Sequence, residues 1–564
     1  MSLEAYLDRV SRGWRGPALA ALVAFLAGLP GVFGAPPLDR DESRFAQASA
    51  QMLETGDFVV IRFQDQPRFK KPVGIHWLQA ASVSLLSQAE AREIWAYRIP
   101  SLLGAMLAAA ACAWGAGAFF SRPASLMSGA ILGASLLLST EAFIAKTDAV
   151  LCGTTTLALA AMARMYSAAR EGPPAGRLTR LLFWLGVSGA TLVKGPVGPL
   201  IVVLTGLALW ALDRRAGWCK TMGWSWGLIL FAAIVGPWAW AVTVATDGAF
   251  WTTAFAGDLA PKLVGGQETH GAPPGYHTLL APILLFPATV LLPAAAVAAW
   301  RHRREPGVRF ALCWLIPAWL LFELTPTKLV HYPLPAYGAI AWLMGVAAME
   351  PVGPRARWMG AALSALVGAA LAGGVLYLLS QYGDPSDATA AAAAAGLLLA
   401  AGLAGAYMMV RRAARGALVA AGALGVLGHG ALAAGLAPRL EPLWLSQRTE
   451  QALAAARLLP RQGITAAPVA VAGYAEPSLV FAIGTPTDLG GPYEAAEALA
   501  QNRPAVVEGR EEADFRRAAA ALGVSPLQVG EVRGLDYSNG DETTLRIYTT
   551  READRAADIH RGRR

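Results

Sequence analysis

Charge is what this sequence has least of. Aspartate, glutamate, lysine and arginine make up 15% of its 564 residues, where a soluble protein carries about a quarter. That shortage excludes an ordinary water-soluble globule. Cysteine is scarce as well. Cys112, Cys152, Cys219 and Cys313 are the only four. They lie in or beside apolar segments at no metal-ligand spacing, which excludes a zinc module. The stretch beyond about residue 438 has none, so it is not stapled by disulfides. There is no internal repeat and no run of charge at the middle of an apolar segment, which argues against a transporter built from two related halves.

Apolar residues are what the chain has in quantity, at 55%. Long apolar runs recur from residue 17 to residue 437, the pattern of a polytopic α-helical membrane protein. With roughly 20 apolar residues per crossing, about thirteen spans are expected. The first, near 17–34, is long enough to cross rather than to serve as a cleaved leader. From 438 the composition turns soluble. Pro468–Ala472, Pro504–Glu508, Leu527–Val532 and Thr544–Tyr548 read as strands. Glu511–Leu522 and the segment after Glu476 read as helices, and Ser538–Asp541 as a hairpin turn. The expected division is a membrane domain at 1–437 and a small α/β domain at 438–564.

The formal charge of +8 sits in short loops, so it reports topology rather than nucleic-acid binding. Every second loop is basic: Arg9 to Arg15, Arg122, Arg164 to Arg180, Arg214 to Lys220, Arg301 to Arg304, Arg355 and Arg357, and Arg411 to Arg415. The positive-inside bias places these in the cytoplasm. The intervening loops and the tail are then outside, in the periplasm if the chain sits in a bacterial inner membrane.

On that outer side lie two long excursions. Residues 35–94 read as two amphipathic helices, near Glu42–Glu54 and Val73–Ser87, joined by a turn. Residues 246–275 are rich in glycine and proline and read as a mobile loop. The outer loops also hold most of the chain's candidate chemistry. Asp41 and Glu42 suit cation ligation or proton acceptance, or in Asp41's case simply a helix N-terminus. Arg62, Arg68, Lys70 and Lys71 form a basic cluster against the positive-inside bias, which an anionic ligand such as a phosphate explains, a solvated or headgroup-facing patch being the alternative. Lys146 and Asp148 stand at the mouth of the fourth span. Lys194 ends the fifth, where snorkelling is the alternative. Lys328, His331 and Tyr332 form a further cluster. The second excursion adds Asp258, Lys262, Glu268, His270 and Tyr276, with His270 the candidate metal ligand or proton carrier.

Several of these stretches resemble one family. Asp41-Glu-Ser-Arg-Phe45, Met52–Asp57, Phe69-Lys-Lys-Pro72, Thr147-Asp148, Val193-Lys-Gly-Pro196, Lys328 with Tyr332, and Gly473–Val480 are similar, in order, to motifs of the bacterial C-type-fold glycosyltransferases. That group includes the 4-amino-4-deoxy-L-arabinose lipid A transferases and the protein O-mannosyltransferases. The resemblance implies a sugar donor on a polyprenyl phosphate, an outer-leaflet lipid acceptor such as lipid A, and inversion at the anomeric carbon. It implies that Asp41 is essential, with Asp148 and Glu42 as further carboxylates, and that Lys71 contacts the donor phosphate. Arg44, Arg62, Lys70, Lys194, Lys328, His331 and Tyr332 join it as substrate-binding candidates, and a monomer is expected. The family's glutamate before Lys-Pro is here Lys70, which opposes a divalent cation at that spot and favours a more anionic substrate. A transferase to protein serine or threonine is the alternative within enzymes. A lipid-sugar flippase is the alternative outside them.

Overall fold

The structure is a computed structural model describing residues 8–38, 40–172, 174–261, 271–536 and 539–550. Asp39, Lys262, Glu268, His270, the Asp258 side chain and the end of the chain beyond residue 550 lie outside the described residues.

Residues up to about 440 fold into a helical bundle. Each segment expected to span carries helix. By length and composition, eight helices of the described residues could each cross a membrane alone. The bent pair Tyr276–Leu284 and Ala288–Arg301, broken at 115°, raises this to nine. Val197–Asp213 and Leu334–Met349 are apolar but shorter. Near 124–140 the chain forms Arg122–Ala134 and Leu136–Glu141, divided at Ser135, and near 179–193 it forms Arg177–Lys194. A count of thirteen full crossings is therefore not reached on length and hydropathy alone.

Small residues set the bundle's spacing. In α4, Ile94–Ala116, Gly104 lies so close to α7, Asp148–Ala168, that a Cβ would stand 2.7 Å from the Val150 backbone. On α7, Gly153 faces the Gly104 carbonyl in the same way, at 2.5 Å. Two helices crossing backbone to backbone fix the height of α7, and hence of Asp148 at its first turn. At the other end, Asp213 accepts hydrogen bonds from the Tyr166 hydroxyl at 2.7 Å and from Arg170 and Arg309 at 2.5 Å. Arg122 reaches Asp8 at 3.8 Å. Loops grouped as basic by their sequence thus meet at one end of the bundle.

The first excursion contains α2, Asp41–Thr55, and α3, Gly74–Leu86, between the first helix α1, Arg15–Gly34, and α4. A two-stranded hairpin, β1 Arg62–Phe63 with β2 Gln66–Pro67, joins α2 to α3 where a plain turn was expected. The tail is a five-stranded mixed sheet in the order β4-β3-β5-β7-β6. Its strands are β3 Ala470–Ala472, β4 Asp488–Gly490, β5 Ala505–Glu508, β6 Leu527–Leu535 and β7 Glu542–Thr549. The four strands expected there are present. The sequence reading missed β4 and two helices, Leu445–Ala455 and Pro492–Ala500, because their alanine and polar content gives weak periodicity. The tail packs onto the excursion. Gln47 on α2 donates to Thr485 at 2.7 Å, Thr485 donates to Glu54 at 2.6 Å, and Phe481 meets Tyr97 edge to face at 5.4 Å.

Candidate active site

The site is assembled where the excursion covers one end of the bundle. Prolines at 326 and 333 stop α13, Pro306–Leu324, from running on into the next helix. The intervening loop therefore stays irregular and carries Lys328, His331 and Tyr332. Helix α8, Arg177–Lys194, ends because Gly195 adopts φ +62°, ψ −131°, a conformation that side chains disfavour. Pro196 follows and starts a new helix. The Lys194 ammonium at this break donates to Asp148 Oδ1 at 2.5 Å. Asp148 is the first residue of α7, where the helix dipole favours an anion. Its other oxygen stands 3.6 Å from His331 Nε2 and 3.9 Å from Lys146 Nζ. Lys146 in turn pairs with Glu141 at 3.0 Å and lies 3.2 Å from His331 Nδ1. The Tyr332 ring lies under Lys194, 5.4 Å from centroid to nitrogen.

These groups are buried, so their mutual charges matter. Burial works against the Lys146 ammonium, but Glu141 and Asp148 outweigh it and hold its pKa above lysine's ordinary value. Burial drives the His331 imidazole well below the histidine range, helped by Lys146 and Lys194 and opposed by Asp148. His331 is therefore neutral at pH 7. With Lys146 donating to its Nδ1, its proton belongs on Nε2, facing Asp148.

Asp41 begins α2 and is exposed, and its charge reaches Lys146. Arg44, three residues on, shares that face of the helix. Arg40, just before, holds φ +61° and reaches Glu476 of the tail at 3.9 Å. Phe45, Ile75, Val150, Ala190 and Val193 form one apolar cluster beneath, tying α2, α3, α7 and α8 together. The Lys70-Lys71 segment is brought alongside Lys194 by close packing. Pro72 is the nearest side chain to Gly195, and a Cβ on Gly74 would stand 2.7 Å from the Leu192 carbonyl. Lys70 is exposed and Lys71 half-buried. Arg68 lies over the Phe45 ring at 4.8 Å.

Not every candidate converges. Glu42 is fully buried and accepts two hydrogen bonds from Arg98, each at 2.8 Å, with the backbone amides of Leu38 and Ala145 filling its oxygens further. Arg98 also donates to the carbonyls of Gly31, Val32, Ala35 and Pro36. This is a clamp between α1, α2 and α4, and it leaves Glu42 no oxygen for a substrate. Arg62 sits on the hairpin 3.9 Å from Asp57. Buried Lys328 donates to the Thr325 carbonyl at 2.6 Å and lies within electrostatic reach of His277. Two members of the site were not singled out in the sequence. Glu141 read only as a loop boundary, and His277 read as part of an apolar run. Both are buried, and neither His277 nitrogen has a partner among the described residues. The Arg68–Lys71 stretch brings cations and no carboxylate, a donor set that does not fit a divalent metal. Among the described residues no group of three or more His, Cys, Asp or Glu side chains could hold one.

Comparison with known proteins places this geometry in context. No family model matches the chain. It is 29% identical over 316 residues to the undecaprenyl phosphate-alpha-4-amino-4-deoxy-L-arabinose arabinosyl transferase of Pseudomonas paraeruginosa, covering 55% of each chain. To the enzyme of the same name from Enterobacter sp. it is 26% identical over 348 residues, 61% of each chain. The match thus spans little more than half the length of these relatives. The crystal structure of ArnT from Cupriavidus metallidurans in the apo state superposes with a TM-score of 0.73 at 20% identity, covering 94% of this chain and 96% of that one. The same protein bound to undecaprenyl phosphate gives 0.72 at 19% identity, with the same coverage. The fold is that of these structures, a multi-pass helical membrane domain with a small α/β tail. The resemblance read from the motifs is met both in sequence and in fold.

Proposed function

We propose that this chain is a glycosyltransferase that moves a sugar from a polyprenyl-phosphate carrier to an outer-leaflet lipid acceptor such as lipid A. It would act from the bacterial inner membrane with the site facing the periplasm. The observation that carries this reading is the convergence at one end of the bundle of Asp41, Asp148, Lys146, Lys194 and the Lys70-Lys71 segment. Such a site meets a donor that is half lipid and half phosphosugar: apolar helices for the chain, cations for the phosphate. The similarity to the aminoarabinose transferases supports the same substrate class.

In the reaction, an acceptor oxygen attacks the anomeric carbon while the bond to the phosphate oxygen breaks and that oxygen takes the electron pair. Lys71, with Lys70 and Lys194 nearby, stabilises the charge that develops on the departing phosphate. Asp41 and Asp148 orient the acceptor. An acceptor phosphate arrives already ionised; an acceptor hydroxyl gives its proton to one of these carboxylates. Lys70, where the family has glutamate, adds attraction for an anionic acceptor. Glu42 is a positioning residue, acting through the Arg98 clamp.

The test is transfer in proteoliposomes given undecaprenyl-phosphate aminoarabinose and lipid A, read by mass spectrometry. Asp41→Asn should lower kcat by at least about a hundredfold while donor binding persists, as expected when an interaction specific to the transition state is lost. Transfer by the variant at the wild-type rate would remove Asp41 from the mechanism.

A further inference from the structure

Glu141 belongs to no motif, yet it ends a chain of contacts that leads to Asp148. Its Oε1 stands 3.0 Å from Lys146 Nζ, which is 3.2 Å from His331 Nδ1, whose Nε2 is 3.6 Å from Asp148 Oδ2. Glu141, Lys146, His331 and Asp148 come from three separate stretches of chain. Glu141 closes the short helix Leu136–Glu141, Lys146 and Asp148 flank the start of α7, and His331 comes from the loop after α13. The second oxygen of Glu141 is buried and has no hydrogen-bond partner among the described residues. A buried carboxylate with an idle oxygen is costly to keep unless the engaged oxygen serves a purpose.

We infer that Glu141 is a positioning residue for Asp148, acting through Lys146 and His331. Three consequences of the geometry support it. A carboxylate at 3.0 Å fixes where the Lys146 ammonium points. An ammonium hydrogen directed at Nδ1 fixes the histidine tautomer, so that the remaining N–H faces Asp148. With Lys194 bonded to Oδ1 and this N–H facing Oδ2 across 3.6 Å, beyond hydrogen-bond length, the Asp148 carboxylate has an ammonium on one side and a polar N–H on the other. Burial pushes the Glu141 carboxyl up to about 7 against the pull of Lys146; with Glu141 ionised, two ammoniums, two carboxylates and a neutral imidazole sum to zero before substrate enters. The other groups facing this set are Asp41, His277 and the Tyr332 ring.

The inference rests on the transferase reading, and the test separates the two. Glu141→Gln, Glu141→Asp, His331→Gln, the Glu141→Gln/His331→Gln double variant and Asp148→Asn are assayed in the same proteoliposomes across pH. Glu141→Gln should lower kcat by about tenfold with the donor KM within about twofold, the pattern of lost orientation rather than lost binding. Its high-pH limb should also move to lower pH, because Lys146 loses the anion that holds its proton. Glu141→Asp should restore part of the rate. In the double variant, adding Glu141→Gln to His331→Gln should cost little further, since both changes break one line of contact. A wild-type rate and pH profile in Glu141→Gln, or independent multiplying effects in the double variant, would overturn the inference. If Glu141→Gln does not fold, Glu141→Asp carries the test: its high-pH limb should move the same way by less, and an unmoved limb counts against the proposal. Wild-type transfer by Asp148→Asn would also overturn the inference, since nothing would then need positioning, whereas no transfer by the unaltered protein would instead sink the underlying reading.

Discussion

Glu42 and Asp41 are neighbours with opposite environments. Asp41 faces outwards at the start of α2, while Glu42 is buried against Arg98 with four donors on its two oxygens. A helix turns by about 100° per residue, so adjacent side chains cannot share a face. The motif announces that one carboxylate matters, but only packing tells which faces the site. Glu42→Gln should therefore act on stability first. It leaves the Arg98 charge buried without its counter-ion, a change worth about 3–5 kcal/mol. Thermal unfolding in detergent should show the loss, and the correctly folded fraction should keep donor binding. Arg98 itself lies in the second turn of α4, at the start of an apolar run, where its charge alone could equally have signalled function.

At the scale of elements, the short contacts around α3 decide where the lysines stand. Gly74 opens α3 against the Leu192 backbone at a distance no Cβ tolerates. Gly74→Val should push the Lys70–Pro72 segment off α8, costing about 1–3 kcal/mol of packing. Donor KM should rise, since the phosphate-facing lysines move, while Gly56→Ala, strained at its left-handed φ of +72° but facing open space, should lower stability and leave KM unchanged. The helices of the excursion were legible within one or two residues from their periodicity and flanking turns. The hairpin between them was not, because two-residue strands have no period to detect. The bend between Tyr276–Leu284 and Ala288–Arg301 was not legible either, because hydropathy does not register a change in direction.

For the whole molecule, the tail is held to the excursion by Gln47, Glu54, Arg92 and Thr485 around the buried pair Phe481 and Tyr97. We expect Phe481→Ala to cost about 3–5 kcal/mol. It should also expose the tail to limited proteolysis, and to lower transfer because Arg40, beside Asp41, loses its link to Glu476. Stability should also depend on pH in a stated direction. His76 on α3 is buried, which with the nearby Arg68 lowers its pKa to about 3, and His331 lies well below its usual value. In the unfolded chain both take up a proton as pH falls through about 6.5. For these two histidines the unfolded state then binds more protons than the folded one, so their contribution to stability falls as pH drops from 7 towards 4; Glu141, whose carboxyl burial pushes up to about 7, contributes with the opposite sign. His331→Gln should flatten that slope in a thermal-shift series, while a slope unchanged in the variant would assign the effect elsewhere.

Composition and loop charge determined that this chain crosses a membrane many times, and which of its loops gather at one end. Both follow from transfer energetics, which depend on residue type and order alone. The motifs marked Asp41, Asp148, Lys194 and the Lys70-Lys71 pair as candidates because charge is scarce here and its placement stands out. What the tertiary structure decided was who meets whom. Glu141 joined Lys146 and His331, Glu42 was withdrawn into a clamp with Arg98, and Glu476 of the tail reached Arg40. Those contacts link residues tens to hundreds of positions apart. They depend on helix crossings that small residues permit and local sequence does not specify.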